Sequence, residues 1–323
     1  MERLQAAATA LAEEYPHGAL LQAAQRLSER YRAQEKAPTG ARLLTREVEA
    51  AAYCASRMPA TFAALCRALA LTRAALPQPP RTLLDVGAGP GSALWAAQAV
   101  FPDLEAATLL EREAAMMQAG QRLAAGQPLC SVDWRQGDLR QADLPPADLV
   151  VCAYCLAEWA PQDLENHTLR LWAATGQALV LAEPGTPEGW ARLERCKAAL
   201  RAEGAHMLAP CAAMDACGLE GDWCHWTARV PRTRLMRRLK GGDAPYEDEK
   251  FAFLAVGRQP GWPERGRIRR HPQVHGGWVG LSLCQDNRPT ERRATRAQDG
   301  PDVYKAARKA EVGDPWPPVI TRV

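Results

Sequence analysis

An apolar run, Thr82-Leu83-Leu84-Asp85-Val86, breaks into Gly87-Ala88-Gly89-Pro90-Gly91 and resumes as the helix-forming stretch Ser92-Ala93-Leu94-Trp95-Ala96-Ala97. Few folds accommodate that order of strand, glycine turn and helix. Without Cβ atoms in the turn, backbone N–H groups at the start of the helix can approach a nucleotide-like ligand closely. The pattern then recurs in kind. Strands are expected near 106–111, 131–136, 148–153 and 177–182, with helices after the second strand and near 161–174. Alternation of this kind predicts a mostly parallel sheet covered by helices.

Two regions flank that core. Residues 1–75 are rich in Ala, Leu, Glu and Arg, with apolar residues three and four apart in Ala19 to Tyr31 and in Ala60 to Leu76, which predicts several amphipathic helices. A Pro-rich break at 76–80 ends them. From 204 the composition turns to Cys, Arg, Gly, Pro and Trp, with β-like runs at 251–256 and 277–284 and a basic helix at 303–312. The expected organisation is therefore a helical region over 1–75, a core over 76–203 and a small cysteine-rich, basic, β-containing domain over 204–323. The 323 residues are 47% hydrophobic and 24% charged, which excludes a disordered or fibrous protein. No apolar run approaches the roughly 18 to 20 residues of a membrane span, and the first residues carry acids where a signal peptide would not. A soluble intracellular protein is expected. Its ten cysteines then point to a reducing compartment, with metal or redox roles rather than disulfides.

Two acids accompany the glycine loop. Glu111, about twenty residues past Gly91, ends the next strand, where a carboxylate can accept hydrogen bonds from both hydroxyls of a ribose. Asp138, just after the third strand, is placed to meet an adenine amino group. A dinucleotide-binding turn would read GxGxxG, whereas Gly87, Gly89 and Gly91 form GxGxG, with Asp85 two positions before the first glycine. This combination resembles the class I S-adenosylmethionine-dependent methyltransferases, whose glycine loop wraps the methionine part of the cofactor. The resemblance implies S-adenosyl-L-methionine on Asp85, Gly87, Gly89, Gly91, Glu111 and Asp138. The next strand, Asp148 to Trp159, lacks the Asn/Asp-Pro-Pro-aromatic signature that holds a target nitrogen in many amino-group methyltransferases, so no catalytic residue is assigned. Cys152 and Cys155 read as small core residues, with a nucleophilic Cys155 as the alternative.

Cys211, Cys217 and Cys224 fall within fourteen residues of a loop-like stretch. Thiolates so close together suit a soft metal. Cys284, closing the run 277–284, is the expected fourth ligand, with His225 as the local alternative; spacing does not separate zinc from an iron–sulfur cluster. Charge is also uneven. Net charge is −6 over residues 1–224 and +9 over 225–323. Arg229, Arg232, Arg234, Arg237, Arg238 and Lys240 follow one another without an acid, and Arg265, Arg267, Arg269, Arg270, Arg292, Arg293, Arg296, Lys305, Arg308 and Lys309 come later. Together they suggest a phosphate-binding footprint, with Trp223, Trp226 and Trp278 as stacking platforms. No groove-reading helix motif is visible, so folded or single-stranded RNA is expected rather than DNA.

Several motifs in order carry a narrower resemblance: Ser56-Arg57-Met58-Pro59-Ala60-Thr61, the loop Asp85 to Gly91, Ala182-Glu183-Pro184-Gly185-Thr186, Ala209-Pro210-Cys211, Asp222-Trp223-Cys224-His225, Arg238-Leu239-Lys240-Gly241-Gly242 and Tyr246 to Phe251. Over about residues 45–315 the chain resembles the methyltransferase-like assembly factors of the small ribosomal subunit, known from mitochondria and with many bacterial members. It departs from them at Ala212-Ala213, where Pro-His usually follows the first cysteine, and at Val312, where Trp is usual. The resemblance implies a cofactor-binding core, association with the small ribosomal subunit and its rRNA, and a [4Fe-4S] cluster on Cys211, Cys217, Cys224 and Cys284. It also implies a bacterial-type cytoplasmic location, or the mitochondrial matrix in a eukaryote. Two alternatives stand beside an rRNA methyltransferase: a non-catalytic assembly factor, and a small-molecule methyltransferase with a structural zinc.

Overall fold

Four helices precede the glycine loop: α1 (Glu2–Glu13), α2 (His17–Ala33), α3 (Glu47–Ser56) and α4 (Met58–Ala75). The computed structural model describes residues 1–33, 44–261 and 266–318. Pro59 sits in the first turn of α4, where its missing N–H costs nothing, and the helix ends before the Pro-rich break. Ten of the eighteen residues of α4 are buried, because it packs on the sheet below and on the helix that comes after the loop.

The core runs β1 (Thr82–Val86), α5 (Ser92–Val100), β2 (Ala106–Glu111), α6 (Ala114–Ala124), β3 (Ser131–Gln136), β4 (Ala147–Ala153), α7 (Leu164–Ala173), β5 (Thr175–Pro184), α8 (Pro187–Ala202) and β6 (His206–Ala209). Next come β7 (Trp226–Pro231), α9 (Arg234–Lys240) and β8 (Tyr246–Gly257). The sheet order is β3-β2-β1-β4-β5-β8-β6, with β7 also paired to β8. β1 to β5 pair in parallel, while β8 runs antiparallel to β5, β6 and β7. Central strands covered on both faces need continuous apolar runs, and β1 and β4 supply them. Edge strand β3, Ser-Val-Asp-Trp-Arg-Gln, is largely exposed.

The composition change at 204 does not coincide with the edge of this sheet. β6, β7 and β8 all belong to it. The second half of β8, Phe251 to Gly257, is buried between β5 and β6, whereas its first half, Tyr246 to Lys250, pairs only with β7 and is polar. Only the chain beyond β8 forms a separate four-stranded sheet: β9 (Gly266–Ile268), β10 (Gln273–Val274), β11 (Trp278–Gln285) and β12 (Arg288–Thr295), closed by α10 (Arg296–Lys309), which kinks at Gly300. Ile268, Val279, Leu281, Leu283, Ala307 and Trp316 make its small core. Val312 is buried in the main core.

Candidate functional site

Strand order reverses between β1 and β4, and ligands of open α/β sheets bind in the crevice this leaves at the carboxyl ends of the strands. A cavity of about 710 Å³ lies there, lined by Gly87, Gly89, Glu111, Asp138, Tyr154 and Glu158 among others. All three loop glycines have positive φ. Gly87 has a second reason to be glycine: a Cβ there would lie 2.9 Å from Cys155 Sγ.

Several acids lie beneath the loop. Glu111 is 8% exposed; its Oε2 accepts the Gly89 N–H at 2.7 Å and its Oε1 the Glu113 N–H at 2.7 Å. It thereby ties the glycine loop to the end of β2. Asp85, 2% exposed, has a buried Oδ2 with no hydrogen-bond partner among the described residues. Burial, and then the charge of Glu111, push the Asp85 carboxyl up to about 8. Asp138 lines the cavity with both oxygens held by the Arg140 guanidinium (2.9 and 2.6 Å), which takes it down to about 2. Glu158 and, behind it, Glu183 are each pushed up to about 7, chiefly by burial. The carboxyl groups lining the cavity outnumber its arginines, which favours a cationic ligand.

Several cavity residues carry no mark in the sequence. Tyr53 and Arg57 reach in from α3 and its junction with α4, so the N-terminal helices form one wall. Trp159 and His167, stacked edge to face at 5.1 Å, form another. Tyr154, at the end of β4, adopts φ 60°, which is unusual for a bulky side chain, and its hydroxyl donates to Glu249 Oε1 at 3.1 Å. Of these, only Arg57 and Glu249 fall in the family motifs; the others have no signal beyond their place in the fold. Cys155 does not present an activated thiol. It lies 2.9 Å from Cys152 Sγ in the core, and the contact with Cys152, together with burial, raises its pKa well above that of an ordinary thiol.

On the other side of β8, Cys211, Cys217, Cys224 and Cys284 line one small cavity of about 30 Å³, with Lys197 and Arg269. His225 does not line it; its ring packs 5.7 Å from Trp223. Two segments distant in sequence are held together here by Asn287. It sits at the tip of the β11–β12 hairpin, where Asp286 and Asn287 both have positive φ, as a two-residue turn of this kind requires. Its Nδ2 donates to the carbonyls of Ala213 and Asp215 at 2.9 Å each, and its own carbonyl accepts the Gly218 N–H at 2.9 Å. The hairpin bearing Cys284 is thus fastened to the loop bearing Cys211 and Cys217. All four cysteines are free, and burial raises each thiol, that of Cys224 to about 12. As they stand, no three or more His, Cys, Asp or Glu among the described residues are arranged to hold a metal. The donor set nonetheless suits a thiolate-bound centre: the Nε and Nη1 of Arg269, 8% exposed at the same cavity, are buried without hydrogen-bond partners.

Internal pairing divides the basic run that sequence treats as uniform. Arg229 pairs with Asp248, while Arg232 and Lys240 share Glu247. Arg234, Arg237 and Arg238 on α9 have no acidic partner within 4 Å among the described residues and face outward to differing degrees. Arg267 is buried, donating to the Pro210 and Gly313 carbonyls; Arg270 pairs with Asp222, and Arg292 with Asp299. Arg265 lies outside the described residues. Of the tryptophans, Trp226 is in the core at 3% exposure, so it is no stacking platform. Trp223 donates to the Gly185 carbonyl. Trp278 is sandwiched between His275 (3.9 Å) and Arg293 (4.2 Å).

Sheet order, glycine turn and acid-lined crevice together define a Rossmann-like fold of the class I methyltransferase type. A family model described as "Mitochondrial small ribosomal subunit Rsm22" matches residues 47–317, and the chain belongs to that family. It is 28% identical over 292 residues to the human "Ribosome assembly protein METTL17, mitochondrial", covering 82% of this chain and 62% of that protein. This chain therefore spans about three fifths of that relative's length. Among solved structures it is similar to the magnesium protoporphyrin IX methyltransferase of Synechocystis with bound S-adenosylmethionine (14% identity, TM-score 0.38, covering 72% of this chain and 90% of that one). It is also similar to the ribosomal protein L11 methylase of Lactobacillus delbrueckii (16%, TM-score 0.37, 60% and 77%).

Proposed function

We propose that this protein is an S-adenosylmethionine-binding assembly factor of the small ribosomal subunit, holding rRNA through α9 and the C-terminal basic surface and carrying a metal centre on Cys211, Cys217, Cys224 and Cys284. The observation that carries the cofactor is the buried Asp85 carboxyl beside Glu111 under the glycine loop, whose Oδ2 has no hydrogen-bond partner among the described residues. A sulfonium and an ammonium are cations of the kind such a crevice stabilises. Gly87, Gly89 and Gly91 would wrap the methionine end, Glu111 would meet the ribose and Asp138 the adenine. The likeness to the human ribosome assembly protein supports the subunit as partner.

A role without methyl transfer is favoured by the end of β4. Tyr154 and Cys155 both line the cavity, but the Tyr154 hydroxyl is engaged with Glu249 and the Cys155 thiol with Cys152. An Asp85→Ala, Glu111→Ala variant tests this against an rRNA methyltransferase. Both readings require it to lose cofactor. If it also lost methylation of pre-subunit rRNA while keeping full assembly activity, the enzyme reading would replace ours. Absence of salt-dependent binding to rRNA would instead favour a small-molecule methyltransferase. For the metal, the family resemblance favours a four-iron four-sulfur cluster, and metal analysis with acid-labile sulfide on anaerobically purified protein separates it from zinc.

A further inference from the structure

Arg269 is an anomaly that neither the cofactor crevice nor the RNA surface accounts for. A guanidinium is always charged and brings five N–H donors. This one lies just past β9 and is 8% exposed. Its Nη2 reaches Asp222 Oδ2 at 3.3 Å, yet Nε and Nη1 are buried with no acceptor among the described residues. Leaving donors of a buried charge unmade costs more than the bond itself would contribute. Glu194 also lines this cavity, but its carboxylate is already engaged by the Lys197 ammonium and the Cys217 N–H; the acceptors left in quantity are the sulfur atoms of Cys211, Cys217, Cys224 and Cys284. As neutral thiols these are poor acceptors; as metal-bound thiolates they are anionic and strong ones.

We propose that Arg269 is the positioning residue of the cysteine centre: its Nε and Nη1 donate to ligand sulfur, so that the cavity takes an anionic, all-thiolate centre. This rests on the reading of the four cysteines as metal ligands. Lys197, 2% exposed at the same cavity, is less available, because its ammonium is already held by Glu194 Oε1 at 2.7 Å. Arg270, the next residue, is the natural control. It carries the same charge and pairs with the same Asp222, at 2.8 Å, but does not line the cavity.

The test compares wild-type protein with Arg269→Met, Arg269→Lys and Arg270→Met, each purified anaerobically with its metal. Loss of metal to a chelator should accelerate about ten- to a hundredfold in Arg269→Met, the usual effect of removing an outer-shell partner. Arg270→Met should stay within about twofold of wild type, because it leaves the outer shell intact, and Arg269→Lys should recover part of the loss by restoring charge. If the centre is iron–sulfur, its midpoint potential should fall in Arg269→Met, since a reduced cluster gains negative charge that the guanidinium no longer offsets. Equal behaviour of Arg269→Met and Arg270→Met would overturn the proposal. Should Arg269→Met not fold, Arg269→Gln, which keeps neutral N–H donors, carries the comparison and must fall between wild type and full loss. Wild-type protein devoid of metal would sink the underlying metal reading, which is a separate result.

Discussion

Asp85 should make cofactor affinity depend on pH in a range, about pH 6 to 8, where an ordinary, already ionised carboxylate would leave it flat. In the unliganded protein its pKa is about 8, so at about pH 6 only about one molecule in a hundred carries the charge. A cationic cofactor favours the ionised form and lowers that pKa in the complex. Binding below about pH 8 then releases a proton. Affinity should rise about tenfold per pH unit well below pH 8 and about fiftyfold in all between pH 6 and 8, a difference of about 2.3 kcal/mol, and level off above. The stability of the unliganded fold runs the other way. The folded-state pKa is raised above the unfolded value, so the contribution of Asp85 is fully present below about pH 4 and is lost as pH rises towards about 8. Calorimetric titration with S-adenosylmethionine in two buffers of different ionisation heat gives affinity and proton count together. Asp85→Asn, with the same shape and no titration at that position, should bind weakly and lose the part of the pH dependence that centres on about pH 8, keeping only that of Glu158 and Glu183 near 7. A wild-type affinity that is flat between about pH 6 and 8, with no proton released, would refute the reasoning.

Other outcomes rest on the same geometry. Cys217→Ser should lose metal and leave the region around 205–290 protease-sensitive; full metal content in that variant contradicts the assignment. Removing the Asn287 side chain by Asn287→Ala takes away two short hydrogen bonds to the cysteine loop and should cost about 2 kcal/mol, seen in denaturant melts and as earlier cleavage near Ala213. At Gly120 a Cβ would stand 2.2 Å from Trp134 Cη2 and 3.0 Å from the Pro90 carbonyl carbon, so Gly120→Ala should destabilise by about 1–3 kcal/mol and loosen the glycine loop. For RNA, replacing Arg234, Arg237 and Arg238 together by Ala should weaken rRNA binding and flatten its salt dependence by about three units of slope. Arg229→Ala, which breaks an internal pair, should leave the slope nearly unchanged. Equal slopes for the two variants would place the RNA surface elsewhere.

Local sequence was sufficient wherever one stretch of chain met one physical demand. Strands buried on both faces must be apolar throughout, so β1, β2, β4 and β5 were visible as runs, and the glycine turn marked where the acid-lined crevice opens. The polar edge strand β3 was visible too, but two later strands were not. β12, Arg-Pro-Thr-Glu-Arg-Arg-Ala-Thr, owes its conformation to its neighbour β11 rather than to hydrophobic alternation, whereas β7, Trp-Thr-Ala-Arg-Val-Pro, does alternate, burying Trp226, Ala228 and Val230, and was hidden inside a stretch read as a basic run. For the same reason a boundary drawn at a change of composition cut through the sheet that β8 completes.

Residue types and spacing thus determined the fold class, the glycine loop with its acids and the candidate thiols, because each depends on the chemistry of a single segment. Tertiary structure alone decided three further matters. It set which cations remain outward, since Glu247 and Asp248 engage Arg229, Arg232 and Lys240 from an adjacent strand. It set where Cys284 meets the other three cysteines, through the Asn287 hairpin tip. And it set the charge state of Asp85, which is governed by burial, a property that no sequence spacing encodes.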